Sequence, residues 1–163
     1  MKYNLPVSTF SSDKVILDHD YIFIYRKTDG FSRRLLQADL IVSKEYQYEL
    51  QLKSFEYQPS TGKTFSIFIS GNLPTDLREK IEYLTSIKQI KEKIKHGYGG
   101  YIDDMGERTF IFKKDKKIIK TGIHILDLEK FKKTANPAEK ELIEANDMLH
   151  EWIEKIYKNC QEI

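Results

Sequence analysis

The order of apolar and polar positions divides this chain into strand-like and helix-like blocks. Tyr21-Ile22-Phe23-Ile24-Tyr25 is a short aromatic and β-branched run closed by the pair Asp29-Gly30, the composition of a strand and its turn. A longer run starts near Leu35 and passes through Leu40-Ile41-Val42 to Phe55. Within it Tyr46, Tyr48, Leu50 and Leu52 alternate with Glu45, Gln47, Glu49, Gln51 and Lys53, the period of two that buries one sheet face and wets the other. After the polar stretch Gln58 to Lys63, Phe65, Ile67 and Ile69 alternate with Ser66 and Ser70. These two strands are expected to form a hairpin.

The period then lengthens. Leu77, Ile81, Leu84, Ile87, Ile90 and Ile94 recur at spacings of three and four, the stripe of an amphipathic helix. Thr75 is the expected N-cap, Asp76 and Glu79 complement the positive end of the dipole, and Gly97 after Lys93, Lys95 and His96 supplies the stop. At ~1.5 Å per residue that helix would run about 33 Å.

Gly97 to Leu126 reads as a three-strand antiparallel meander. Its strands are Tyr98 to Ile102, Arg108 to Lys113 and Ile118 to Leu126, with turns at Asp103-Asp104-Met105-Gly106 and Lys114-Asp115-Lys116. Asp127 to Lys133 predicts one helical turn that docks Leu128 and Phe131. The last helix opens on Asn136-Pro137-Ala138-Glu139: Asn caps, Pro suits the first helical position, and Glu139 reaches back as in a capping box. Leu142, Ala145, Leu149, Ile153, Ile156 and Cys160 form its apolar stripe, flanked by Trp152 and Tyr157.

Blocks of strands joined by tight turns, each followed by a long helix, predict an α+β fold: an antiparallel β-sheet with two long amphipathic helices packed on it. A single domain spans residues 1–163, with two strand-group and helix halves at about 1–96 and 97–163. A chain of 163 residues is long enough to bury roughly two thirds of its unfolded surface without a covalent staple. Cys160 is the only cysteine, which excludes an internal disulfide and a cysteine-based zinc site and fits a reducing compartment. The start MKYNLPVSTFSSDK lacks the apolar core of a signal peptide, and no window approaches the ~18 apolar residues of a membrane span. The expected location is the cytoplasm.

Net charge is +2, from 27 basic and 25 acidic residues, too balanced for a general polyanion binder. Its distribution is uneven. Between Glu107 and Lys120 the bases Arg108, Lys113, Lys114, Lys116, Lys117 and Lys120 face only Glu107 and Asp115, a local excess of +4. In the first turns of the last helix Glu139, Glu141, Glu144, Asp147, Glu151 and Glu154 face only Lys140, a local −5. Such blocks ordinarily form solvated faces.

Candidate chemistry is sparse. Ser60-Thr61-Gly62-Lys63-Thr64 resembles the end of a phosphate-binding loop, but Tyr57 stands where the pattern needs glycine. A strand, not a helix, follows it, so no helix N-terminus would cradle phosphate. Asp18-His19-Asp20 gathers three polar groups, yet on an extended chain the two carboxylates point away from the imidazole. His96, Asp103 or Asp104 would have to complete any site there. The histidines at 19, 96, 124 and 150 have no metal-ligand spacing, and each reads as a surface or rim residue. No G-x-S-x-G elbow occurs, and Cys160 lies three residues from the carboxyl end, a poor place for a preorganised nucleophile. The expectation is no catalytic residue, no metal and no cofactor. Gly97-Tyr98-Gly99-Gly100-Tyr101 is the most unusual composition, a loop able to present two aromatic rings.

The arrangement Gly100-Tyr101-Ile102-Asp103-Asp104-Met105-Gly106, then Thr109-Phe110-Ile111-Phe112, a lysine turn and an acidic helix, resembles small cytoplasmic immunity proteins that neutralise bacterial toxins. The likeness covers little more than the carboxyl-terminal half and carries over no functional residue. It implies a non-enzymatic protein-interaction module that blocks a basic toxin domain with its acidic helix. Glu144, Asp147, Glu151, Glu154, Tyr98 and Tyr101 are the candidate partner-binding residues. Two other readings are a nucleic-acid-binding module using the lysine-rich meander with Tyr98 and Tyr101, and a small hydrolase near His19, Asp103 and Asp104.

Overall fold

The computed structural model of the chain describes residues 20–29, 35–55, 62–86, 94–100, 106–114, 117–124 and 128–161. The strands are β1 (Tyr21–Thr28), β2 (Leu35–Ser43), β3 (Gln47–Phe55), β4 (Thr64–Asn72), β5 (Gly97–Tyr98), β6 (Arg108–Lys114) and β7 (Lys117–Ile123). The helices are α1 (Thr75–Thr85), α2 (Leu128–Thr134) and α3 (Pro137–Gln161). One seven-stranded sheet runs in the order β4-β3-β2-β1-β6-β7-β5. Every pairing is antiparallel except β5 with β7. The fold is α+β.

The core lies between one sheet face and the helices. Phe23, Tyr25, Leu40, Leu50, Leu52, Phe110 and Phe112 meet Leu77, Ile81 and Leu84 of α1 and Leu142, Leu149 and Ile153 of α3, all buried. The alternation read in β3 is the reason: Leu50 and Leu52 point inward while Lys53 stays exposed. Ile24, Ile41 and Ile111 are buried on the opposite face.

The reciprocal cap at the start of α3 forms as expected. Glu139 N donates to Asn136 Oδ1 at 2.9 Å, and Asn136 N donates to Glu139 Oε2 at 2.9 Å. Helix α3 then runs 25 residues with Leu142, Ala145, Leu149 and Ile153 buried in one stripe. In α2, Leu128 and Phe131 pack against the core.

Three expectations are corrected. The run from Leu35 to Phe55 is two strands, because Tyr46 takes φ 60° and turns the chain. Ser43 Oγ stabilises that turn by accepting from Glu45 N at 3.2 Å and Gln47 N at 3.3 Å.

The second correction concerns the first helix. It spans 11 residues, about 16 Å, so among the described helices only α3 is long. Pro74, not Thr75, occupies the N-cap position, and no side chain caps it. At the other end Thr85 Oγ1 bonds back to Ile81 O at 2.8 Å, and Ser86 is already extended with ψ 129°. Ile87 and Ile90 lie outside the described residues.

Third, the meander is a two-stranded hairpin, β6 with β7. Gly97, expected to stop a helix, begins β5, which joins β7 in parallel with Gly97 opposite Gly122. Gly106 is required where it is: φ is +70°, and a Cβ there would sit 2.1 Å from Thr28 O. That close approach lets Thr28 and Glu107 exchange backbone hydrogen bonds of 2.9 and 3.1 Å.

Candidate functional site

On the sheet face turned away from the helices, the pairing registers join one residue per strand into a single row: Phe68, Gln51, Asp39, Arg26, Thr109, Gly122 and Gly97. Its centre is tied by side-chain hydrogen bonds. Arg26 Nε and Nη2 donate to Asp39 Oδ1 and Oδ2 at 2.6 and 2.9 Å, and Gln37 Nε2 adds a bond to Oδ2 at 2.6 Å. A two-pronged guanidinium–carboxylate pair fixes direction as well as charge, and Asp39 is buried.

At the β5 end the row closes on two glycines. A Cβ on Gly122 would lie 3.1 Å from Glu107 Oε1 and 3.9 Å from His124 Nε2, so glycine lets both side chains close over the strand. His96, Glu107, Thr109, Lys120 and His124 line a cleft of about 320 Å³ above this floor. Nothing in the spacing of His96 and His124 signals a shared site. The parallel pairing unites them, with Gly122 N donating to His96 O at 3.1 Å and His124 N to Tyr98 O at 2.8 Å.

At the opposite end the row finishes on Phe68, which is 58% exposed. Its strand, β4, is a sheet edge paired only with β3 among the described strands. None of its nine residues, TFSIFISGN, is charged or proline, and its register with β3 is unbroken. Protein edges are ordinarily guarded by lysine, proline or a bulge, because an open edge templates pairing with another chain. Here Phe65 and Phe68 are exposed instead.

The helix side of the sheet centre carries the opposite chemistry. Lys27 and Arg108 are partners in the β1–β6 register and are both almost fully buried. Two buried cations side by side need counter-charge. Lys27 Nζ bonds Glu154 Oε1 of α3 and lies 2.9 Å from Asp29 Oδ2, while Arg108 Nη2 donates to Asp29 Oδ1 at 3.1 Å.

His150, one helical turn before Glu154, faces the same cluster rather than the surface. Its Nδ1 is buried without a hydrogen-bond partner among the described residues, as is Arg108 Nη1. Burial, then repulsion from Lys27 and Arg108, lowers the His150 pKa against the opposing pull of Glu154 and Asp29. The imidazole is therefore held neutral near pH 7. Beside it Tyr25 OH donates to Asn146 Oδ1 at 3.4 Å, and burial pushes this phenol well above its usual range.

The candidate partner-binding residues separate. Tyr98 is 2% exposed: its hydroxyl accepts from Lys95 N at 2.7 Å and donates to Glu139 Oε1 at 3.0 Å, tying β5 to the cap of α3. It presents no ring to a partner. Glu154 is drawn into the Lys27 cluster, and Glu139 is buried. Glu144 stays mostly exposed although Lys80 Nζ lies 2.5 Å away, Asp147 is 3.6 Å from Lys132, and Glu151 is exposed.

Of the basic block, Arg108 is consumed internally, while Lys114 and Lys117 pair across the β6–β7 turn. Tyr101, His19, Asp103 and Asp104 lie outside the described residues. The strand expected after Gly62-Lys63 is present as β4, so the phosphate-loop reading has no helix to support it. Among the described residues no group of three or more His, Cys, Asp or Glu is placed to hold a metal ion, and no helix is long and apolar enough to cross a membrane. The chain matches no protein-family model and no curated protein.

Proposed function

We propose that this chain is a non-enzymatic cytoplasmic protein-interaction module, of the toxin-neutralising immunity kind, that takes up an extended, alternately apolar segment of its partner alongside β4. The observation that carries this reading is the nine-residue uncharged edge with Phe65 and Phe68 exposed. Strand addition draws affinity from main-chain hydrogen bonds and specificity from alternate side chains, and β4 offers both. The stripe Glu144, Asp147 and Glu151, at i, i+3 and i+7 on α3, would steer a basic toxin domain toward the module.

The test uses the protein encoded immediately upstream of this chain's gene as probe, titrated against the purified chain by calorimetry. Phe68→Lys places a charge on the edge and is expected to weaken binding at least tenfold. Glu144→Lys with Glu151→Lys is expected to weaken it less and to flatten its salt dependence. Affinity unchanged by Phe68→Lys rejects the edge as the docking surface.

A second reading, a small hydrolase, is favoured by one observation, the meeting of His96, His124, Glu107 and Lys120 over the Gly97–Gly122 floor. An imidazole and a carboxylate at one cleft suit general acid–base work. Hydrolysis of nitrophenyl phosphodiesters or esters that His124→Gln abolishes supports it; equal rates in both proteins end it.

A further inference from the structure

The sequence of β4 is symmetric about its centre. Ser66-Ile67-Phe68-Ile69-Ser70 reads the same in both directions. An antiparallel strand laid beside it with Phe68 opposite Phe68 would place Ser66 opposite Ser70, Ile67 opposite Ile69, and Phe65, the bulkiest flank, opposite Gly71, which has no side chain. Every such pair also falls on one sheet face, because opposed residues share the same parity. Phe65, Ile67, Ile69 and Gly71 lie on the helix side, as their β3 partners Ser54, Leu52, Leu50 and Tyr48 do. Ser66, Phe68 and Ser70 lie on the other.

We infer that the strand taken up by this edge is β4 of a second copy, joined through a two-fold axis at Phe68; this rests on the reading of β4 as the docking edge. An isologous contact needs a self-complementary patch, and four features of β4 supply one. No like charges meet, since the strand has none. Phe68, 58% exposed in the single chain, gains a ring partner, and opposed aromatic residues are among the favourable cross-strand pairs. Ile67 and Ile69, half-buried against the core, continue the apolar layer across the axis. Phe65 falls opposite Gly71, whose Cβ position the Tyr48 ring already covers at 3.2 Å, so the second copy's Phe65 would meet the Tyr48 ring with no opposing side chain between them. The two sheets become one continuous sheet, and a toxin strand that binds the same edge competes with the second copy.

Directly opposed residues of an antiparallel pair have Cα atoms about 4.5–5.5 Å apart, within the range a disulfide bridges. The register therefore predicts which cysteine finds itself. The full chain carrying Cys160→Ser is combined with Phe68→Cys, Phe65→Cys or Ile67→Cys, and mild oxidation is followed on a non-reducing gel, with sedimentation equilibrium of the unsubstituted chain alongside. Expected are a species of twice the 19.3 kDa chain mass, near-complete cross-linking of F68C, and at least tenfold less for F65C and I67C, with I67C mixed with Ile69→Cys cross-linking readily.

A monomeric chain whose F68C variant stays unlinked overturns the inference, as does equal cross-linking at all three positions, which reports random encounter. The edge reading fails separately. If Phe68→Lys leaves binding of the upstream-encoded protein unchanged while F68C cross-links, the strand is a dimer contact only. If Phe68→Lys abolishes that binding while F68C stays unlinked, the edge serves a foreign strand.

Discussion

The middle of the sheet and its β4 edge invert the usual placement of side chains. At the middle, Lys27, Asp29 and Arg108 are charged and withdrawn from water. At the edge, Phe65 and Phe68 are apolar and left in it. Each placement costs free energy in an isolated chain, and the two costs are offset differently. The buried charges are countered within the chain by ion pairs, through the β1–β6 register, Asp29 and Glu154 from α3. Among the described residues the exposed rings have no comparable cover, and the proposed docking of a second polypeptide at this edge rests on that. Polar burial here ties α3 to the sheet, whereas apolar exposure at β4 is the feature on which the proposed docking rests.

The sharpest way to break this comparison is at its centre. Lys27→Met keeps the volume but leaves Glu154 without its cation and Asp29 with Arg108 alone. Unfolding in urea should show a loss toward the lower end of ~3–5 kcal/mol, because Glu154 keeps 23% side-chain exposure and water compensates part of it. Adding Glu154→Leu should recover much of that loss, as expected for coupled groups. Equal losses in single and double variants would mean that the cluster is not a unit.

A smaller effect separates the two helices that cover the core. Asn136→Ala removes the side-chain acceptor at the start of α3 and should cost about 1 kcal/mol. Thr75→Ala should cost far less, since Thr75 caps nothing in α1. Thermal melts of both variants check the difference.

These two helix starts also mark what the residues disclose and what they hide. The cap of α3 is written in four consecutive residues, and reciprocal bonds between Asn136 and Glu139 need no tertiary context. Helix α1 has an apolar stripe that continues past its end. Its stop is set by Thr85 bonding back to Ile81 and by an extended Ser86, a local competition that periodicity does not register. Strand alternation in β3 was legible for the same reason as the α3 cap, but it runs unbroken across the turn at Tyr46 and so concealed a second strand. The cleft and the charge cluster were illegible. Gly97 meets Gly122, and Lys27 meets Arg108 and His150, only through strand order and register, which no short window contains. Open β4 is the intermediate case: its alternation and lack of charge stand in the sequence, while its place at the sheet edge does not.

The pH dependence is expected to be modest and its sign is fixed. His150 has a folded pKa below its unfolded value of about 6.5, so below that pH the unfolded chain binds a proton that the native chain resists. Stability present above pH 6.5 is lost as pH falls through the folded pKa. The groups that face the imidazole are Lys27 and Asp29 from the β1 strand and its exit, Arg108 from β6 and Glu154 from its own helix. Denaturant melts at pH 7.5 and 5.5 should show a steeper acid loss in the unsubstituted chain than in His150→Gln; parallel losses would remove His150 from the account. Smallest of all, Phe68→Ser should shift monomer stability by no more than about 0.5 kcal/mol, read in melts at low chain concentration. A large loss there would place Phe68 in the core and take away the exposed side of the comparison.

Hydrogen exchange across β4 at low and high chain concentration, and with the upstream-encoded protein added, tests most directly whether the edge is a docking strand. Residues 65–72 should gain protection on association while β1 and β6, already paired on both sides, stay unchanged. Exchange in β4 that neither concentration nor the added protein slows would contradict it.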